Sequence, residues 1–438
     1  MSTLPNNTPD CPPSHFDSLL ATITPRSLLT LALRIRYSAV YEEGTLHQRC
    51  SVIQPPNYGS FNLLYTIEFP EDKWIIRIPC PDTSSQSIRS AACAMTYLRR
   101  NTSIPIPEIY CFDETTNNEI GAPYIMMEFV DGFSVDELWF KDTGPTPLAL
   151  RRIRILQTLA EAMSKLSKFQ FDRIGALDFD SDDNILDPKR ILEFEVEDES
   201  AELKDMESGI DKGPIFRRIG PFDSSSAYFE ALLAMQEPPQ SNCSVGARQL
   251  LKLMIRCLPL SLATREPCPE SFVLAHPDLG SQNVLVSEDG TLVALIDWDQ
   301  IQTVPRCIGY SRYPSWITRD WDPVKYGYQV QGCCSENSPE ELEYFRKIYA
   351  AHISPLLSVE PFDYSTKSHL FEAVWIAAGS PICLDNIVIK IFDYLDLKDC
   401  DGGKLCVYET AVDLAEGKLG DEVESRLVMA FQDLFRVE

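Results

Sequence analysis

A chain of 438 residues, 44% hydrophobic and 24% charged, is long enough for two domains or one two-lobed unit with a substantial core. Its formal net charge of -26 argues against nucleic acid or an anionic membrane surface as a partner, because both would be repelled. The 14 cysteines form no C-x-x-C pair and the 5 histidines are scattered, so zinc spacing is absent and reduced thiols are expected. The opening MSTLPNNTPD has no basic region and no apolar run, so no signal peptide is read there and a cytoplasmic location is expected. The most apolar later stretch, Phe371 to Phe392, is interrupted by Glu372, Pro381, Asp385 and Lys390, which argues against a membrane span.

Residues 1–45 read as an N-terminal tail and helical lead-in, with Leu19, Leu20, Ile23, Leu28, Leu29, Leu31, Leu33 and Ile35 at helical spacing. Residues 46–131 read as a small β-rich lobe. Cys50 to Gln54, Phe61 to Phe69 and Trp74 to Pro79 alternate as a meander. The stretch PPNYGSFN joins the first two strands. Gly59 permits a tight turn whose backbone N–H groups face a phosphate, with Ser60 and Asn62 as further donors, or it is a turn and nothing more. The strand WIIRIP carries one charge, so Arg77 either points to solvent from an edge strand or reaches a ligand. A helix follows over 84–100, with Ser84 or Ser85 as N-cap. It contains no acidic residue. The extended Ile104-Pro105-Ile106-Pro107 then leads to the strands EIYCF and PYIMMEFV.

Residues 132–438 read as a large, mainly helical lobe. Helices are predicted over Ser134 to Lys141, Pro145 to Phe169, 226–236 and 244–262. An acidic, poorly periodic stretch at 193–211 reads as a solvated insertion. Further helices are expected over Pro339 to Leu357, Lys367 to Ala378 and Cys383 to Leu395. The aromatic-rich segment 309–323 lines an acceptor pocket or belongs to the core. Asp399 to Gly403 has the look of a calcium loop, but its ligand spacing does not fit.

The most informative stretch is FVLAHPDLGSQNVLVSEDGTLVALIDWDQ, residues 272–300. Asp289-Gly290 is a hairpin-turn signal between the apolar runs Val284 to Val286 and Leu292 to Ile296. A two-residue turn pairs Glu288 with Thr291, and counting outward sets Asn283 opposite Ile296, beside Asp297. Two oxygen donors thus meet at the open end of one hairpin, and Asp278 lies in the loop before it, next to His276. Asn283 and Asp297 suit a magnesium ion. Asp278 suits orientation of an attacking hydroxyl. The bland reading makes Asp278 a turn cap and Asn283 a strand-end hydrogen bonder.

The order H-x-D-x-x-x-x-N, hairpin, D-W-D resembles the catalytic and metal-binding segments of the aminoglycoside phosphotransferase-like, protein-kinase-like family, in particular its fungal members. The resemblance implies an α+β fold of two lobes with ATP and Mg²⁺ as cofactors. It matches Asp278 to the catalytic Asp, Asn283 to the metal-binding Asn and Asp297 to the second metal ligand. It matches the turn at Gly59 to the nucleotide-covering loop and Arg77 to the basic residue on the phosphates. Met126 to Phe129, with Glu128, matches the hinge that bonds the adenine ring. The family's helix acid falls at Ala91, which departs from the pattern and leaves Arg77 without its expected carboxylate. The implied activity is transfer of the ATP γ-phosphate to a hydroxyl of a small-molecule acceptor. The alternative is a nucleotide-binding pseudokinase or scaffold. A P-loop hydrolase is excluded, since no G-x-x-x-x-G-K-[ST] occurs.

Overall fold

The computed structural model describes residues 13–38, 49–186, 191–199, 201–202, 214–259, 270–330, 335–357, 363–398 and 403–437. In chain order the first elements are α1 (Asp17–Thr22), α2 (Pro25–Tyr37), β1 (Ser51–Tyr58), β2 (Asn62–Glu68), β3 (Lys73–Pro79), α3 (Ser85–Asn101), β4 (Ile109–Asp113) and β5 (Tyr124–Glu128). There follow β6 (Phe133–Ser134), α4 (Val135–Leu138), α5 (Leu148–Ser164), β7 (Gln170–Phe171), β8 (Gly175–Leu177), β9 (Ile191–Leu192), β10 (Phe194–Glu197) and β11 (Phe216–Ile219). Then come α6 (Ser225–Met235), α7 (Asn242–Cys257), β12 (Phe272–Leu274), β13 (Val284–Val286), β14 (Leu292–Leu295) and β15 (Gln302–Val304). The chain continues through α8 (Pro339–Ile353), α9 (Ser368–Gly379), α10 (Pro381–Leu395), α11 (Val407–Ala415) and α12 (Asp421–Phe435).

Two compact units are interleaved along this order. The first comprises Met1–Pro147, Ala176–Ile219 and Gln282–Ile301; the second comprises Leu148–Gly175, Gly220–Ser281 and Gln302–Glu438. The first unit is β-rich and the second mainly helical, the α+β composition that the sequence predicts.

The first unit is built on an antiparallel sheet of order β1-β2-β3-β5-β4. Strand residues alternate between faces. Trp74, Ile76 and Ile78 of β3 join Leu63, Tyr65 and Ile67 of β2 and the buried Leu28, Leu31 and Ala32 of α2 in one core. Arg77 is odd where those are even, so it projects from the opposite face. Because β3 runs between β2 and β5, Arg77 is not on an edge. One edge strand is β1, and it continues through Pro55 and Pro56 to Tyr58 with a register shift between Ile53 and Asn57. Proline is tolerated there because an edge strand can spare a donor. This corrects the expected strand end at Gln54. Thr24 caps α2 and Ser84 caps α3, each accepting from the backbone three residues on.

A second sheet of the first unit has the order β14-β13-β6 and carries the predicted hairpin. Part of the predicted insertion at 193–211 lies outside the described residues. Its described flank is ordered: β10 pairs with β11 as a ribbon, and Phe194 and Asp198 are buried.

In the second unit, short strands β7 and β15 flank β12. Among the described residues, helices make up most of the rest. Gly246 lets α7 approach α11 closely, since a Cβ there would lie 1.7 Å from the Ala411 carbonyl oxygen. The aromatic segment 309–323, left open between pocket and core, is core: Tyr310, Tyr313, Trp316 and Trp321 are all buried. Most of the stretch that resembled a calcium loop lies outside the described residues. Among the described residues no helix is long and apolar enough to cross a membrane.

Candidate active site

The hairpin of β13 and β14 sets the spacing of the candidate site. Val284 pairs with Leu295 and Leu285 with Ala294, and the Ile296 N–H donates to the Asn283 carbonyl at 3.0 Å. Asn283 therefore lies opposite Ile296, as the outward count predicts. The tip differs from the two-residue turn expected. Gly290 N–H donates to the Ser287 carbonyl at 2.9 Å, and Ser287 N–H donates to the Thr291 carbonyl at 2.9 Å, so the turn spans three residues. Gly290 takes φ +90°, the left-handed conformation that glycine adopts without strain. A register shift at Leu285 and Val286 absorbs the extra residue before it reaches the open end.

Past β14 the D-W-D triplet turns sharply. Trp298 is fully buried and its indole N–H donates to the Leu295 carbonyl at 3.0 Å. Asp297 is held at φ +62°, a sparsely populated region for a side chain with a Cβ. Such backbone strain persists where the surroundings over-determine it and concentrates at functional sites.

Both carboxylates of the triplet reach Arg77. The guanidinium donates to Asp299 and lies 3.9 Å from Asp297. The Asn62 amide donates to the other oxygen of Asp299 at 3.2 Å. Burial works against the Arg77 charge, but the Asp299 and Asp297 carboxylates outweigh it and raise its pKa above the ordinary value. Ala91 on α3 is buried and offers no acid. Arg77 thus has carboxylates, and they come from beyond the hairpin. Asp299 is the residue that sequence reasoning missed. The only signal for it was the second Asp of D-W-D. Among the described residues, Arg77 Nε and Asn62 Oδ1 are buried without a hydrogen-bond partner. A buried donor left unmade is costly, and Arg77 Nε suits an anionic oxygen.

Among the described residues no group of three or more His, Cys, Asp or Glu side chains is arranged to hold a metal ion. The Asn283 amide and Asp297 carboxylate nonetheless fit magnesium. That ion keeps several waters and takes one or two protein oxygens together with phosphate, in place of a dedicated cage.

Gly59 opens a hairpin turn in which its N–H donates to the Asn62 carbonyl at 3.0 Å. A Cβ on Gly59 would meet nothing within 4 Å, so the chain itself does not demand glycine there. Ser60 is exposed, and its carbonyl accepts from the His15 ring at 3.2 Å. Next to Ser60, Phe61 packs on Phe216 of β11 with ring centroids 5.9 Å apart. The insertion's ribbon also reaches α3, where Ser87 donates to Glu195 at 2.6 Å. Asn62, Arg77, Asp297 and Asp299 are one cluster, with Asn283 set beside Asp297 by the hairpin register, while Glu128 stands apart. It lies opposite Trp74, three positions along β3 from Arg77. The N–H groups of Glu128 and Phe129 are already committed to the Glu108 and Lys73 carbonyls, at 2.8 and 3.2 Å.

Asp278 belongs to the second unit. It is exposed in a loop whose neighbours Ala275, His276 and Leu279 are buried. The Ser315 N–H donates to the Leu279 carbonyl at 3.0 Å. Burial of His276 fits support of the loop.

A family model described as the phosphotransferase enzyme family matches residues 52–323. The chain belongs to this family. Its α+β make-up, with a β-rich unit and a mainly helical one, is the one the sequence resemblance implied. Two curated relatives illustrate the sequence likeness. A subtelomeric hrmA-associated cluster protein of Aspergillus fumigatus is 24% identical over 316 residues, 60% of this chain and 60% of that protein. The mitochondrial "altered inheritance of mitochondria protein 9" of Saccharomyces cerevisiae is 22% identical over 320 residues, 60% of this chain and 49% of that protein. The chain thus spans about half to three-fifths of the length of these relatives. Among solved structures, the phosphotransferase APH(4)-Ia is 15% identical with a TM-score of 0.44, covering 92% of this chain and 98% of that chain. One expectation is corrected by these relatives. Several are named as mitochondrial proteins, which overturns the cytoplasmic location read from the N-terminal residues.

Proposed function

We propose that this phosphotransferase moves the γ-phosphate of ATP, with Mg²⁺, to a hydroxyl of a small-molecule acceptor. The observation that carries the reading is the pairing of Asp297 and Asp299 with the buried Arg77, with Asn283 set beside Asp297 by the register of one hairpin.

Each residue has a defined part. The turn from Gly59 to Asn62 offers backbone N–H groups and the Ser60 hydroxyl to the phosphates. Arg77 aligns them through its guanidinium. Asn283 and Asp297 would hold the magnesium ion, which when bound supplies neutralisation of phosphate charge. Asp278 accepts a hydrogen bond from the acceptor hydroxyl and takes its proton as the new P–O bond forms. The bond from the γ-phosphorus to the bridging oxygen breaks, and ADP leaves. Positioning and charge stabilisation account for most of such catalysis. The adenine edge is met near Glu128, by groups other than the N–H pair already used in the sheet. The pseudokinase alternative leaned on Ala91. With Asp299 and Asp297 serving Arg77, that support falls away. The mitochondrial location named for relatives is extended to this chain in the same proposal, and fractionation of cells expressing the full protein checks it.

The test is a thermal-shift titration with ATP, with and without Mg²⁺, on wild type and Asp297→Ala. A ligand at about 100 times its Kd stabilises by roughly 2.7 kcal/mol. A magnesium-dependent rise that Asp297→Ala removes is expected. No rise with ATP or GTP, or a rise indifferent to Asp297, overturns the proposal.

A further inference from the structure

The loop that carries Asp278 is gripped from inside its own unit by a buried charge that the proposed reaction does not use. Arg312 is 5% exposed. One terminal nitrogen of its guanidinium donates to two successive carbonyls, those of His276 at 2.8 Å and Pro277 at 3.1 Å. These are the two residues directly before Asp278. The other terminal nitrogen lies 3.5 Å from Glu372, a buried carboxylate on α9. Thr318 donates to the second oxygen of Glu372 at 3.1 Å. The indole of Trp375, one turn further along α9, lies 5.5 Å from the guanidinium carbon. Next to Arg312, the Tyr313 N–H donates to Ser368 in the first turn of α9 at 3.0 Å.

We infer that Arg312, anchored by Glu372, is a positioning residue that sets the angle at which Asp278 meets the acceptor hydroxyl. The inference rests on the reading of Asp278 given above. Three features support it. The guanidinium is a rigid planar fork, so two carbonyls bonded to one nitrogen fix the backbone as well as its distance. Asp278 is exposed while His276 and Leu279 on either side of it are buried, so the backbone that presents it is held from within the unit. The far side of the loop is tied separately, by Ser315 N–H to the Leu279 carbonyl at 3.0 Å. Asp278 is thereby stretched between two fixed points, and both belong to the segment 312–315.

The experiment uses the full chain with Mg·ATP, reading phosphate release to water and amide exchange in peptides covering 276–281. Arg312→Met removes the grip. Arg312→Lys keeps the charge facing Glu372 but loses the fork, and it serves where the Met variant fails to fold. Exchange over 276–281 is expected to rise about tenfold in either variant. Turnover is expected to fall roughly 10²-fold at unchanged KM for ATP, the effect of a small misplacement of a reacting group. Placed on Asp278→Asn, Arg312→Lys is expected to cost nothing further, because it acts only through Asp278. Unchanged exchange, a parallel change in kcat and KM, or an undiminished cost on Asp278→Asn overturns the inference. Wild-type turnover in Asp278→Asn sinks the parent reading and this inference with it. An inactive Asp278→Asn beside an Arg312→Lys at wild-type turnover sinks this inference alone.

Discussion

Replacing Asp299 by Asn removes the charge that Arg77 donates to and leaves Asp297 at 3.9 Å as its nearest carboxylate. The Arg77 side chain is 9% exposed and that of Asp299 29%. Breaking a fully buried pair by removing one partner costs about 3–5 kcal/mol. The partial exposure of Asp299 and the remaining Asp297 bring the expected loss to about 2–3 kcal/mol. A unit of this size loses roughly 2–4 °C of Tm per kcal/mol, so Asp299→Asn is expected to melt about 5–10 °C lower. The decisive assay is a double-mutant cycle by urea unfolding with Arg77→Met, Asp299→Asn and the pair together. With both charges gone, no uncompensated guanidinium remains. The double variant should therefore be more stable than the sum of the two losses by about 2 kcal/mol, as expected for groups in contact. Additive losses, or an Asp299→Asn variant within about 0.5 kcal/mol of wild type, would refute the claim that Asp299 serves Arg77 in place of a helix acid.

Two further predictions concern the second unit. Burial, helped by the charges of Arg346, Lys367 and Lys390, pushes the pKa of His369 down to about 3 from its ordinary 6.5. Between these values the unfolded chain binds a proton that the folded one refuses, so stability is full above pH 6.5 and falls as pH drops towards 3. Each pH unit in that window costs about 1.4 kcal/mol, or about 2 kcal/mol from pH 6.5 to 5. Urea midpoints at the two pH values should converge in His369→Phe, and an equal pH dependence in variant and wild type would rule His369 out. Gly246→Ala inverts the usual helix rule. On an exposed helix the change gains up to about 1 kcal/mol. Here the new Cβ would collide with the Ala411 carbonyl, and thermal melts should record a loss of about 3 kcal/mol; an unchanged Tm would deny the close approach of α7 and α11.

What the sequence revealed followed how locally each feature is encoded. The hairpin was legible because Asp289-Gly290 and the β-branched runs beside it fix each other's register within a dozen residues. The tip was misjudged because Asp-Gly serves two-residue and three-residue turns alike, and the choice rests on a bulge at Val293, opposite Leu285 and Val286, that has no side-chain signature. The buried placement of Arg77 was half legible. One charge in an apolar strand signals either an edge or a ligand, and only the strand order removed the edge. Its counter-ion was not legible, since the pairing of Arg77 with Asp299 belongs to tertiary structure. The β1 edge defeated the rule that proline ends a strand, because an edge strand with a register shift spares donors that an inner strand cannot. The phosphate-facing turn at Gly59 and Ser60 was read from a glycine between short strands and the hinge role of Glu128 from resemblance alone, and both remain proposals.

Arg77 and Asp299 are 222 residues apart in the chain. A ribosome adding about 5–20 residues per second leaves roughly 10–45 s between synthesis of the strand and synthesis of its countercharge. Throughout that interval a sheet closed over Arg77 would bury an unneutralised guanidinium. In the nascent chain the β-rich unit is therefore expected to gain its full stability only after this late segment has been made. A fragment ending anywhere before residue 299 inherits the same deficit permanently, however complete its sheet.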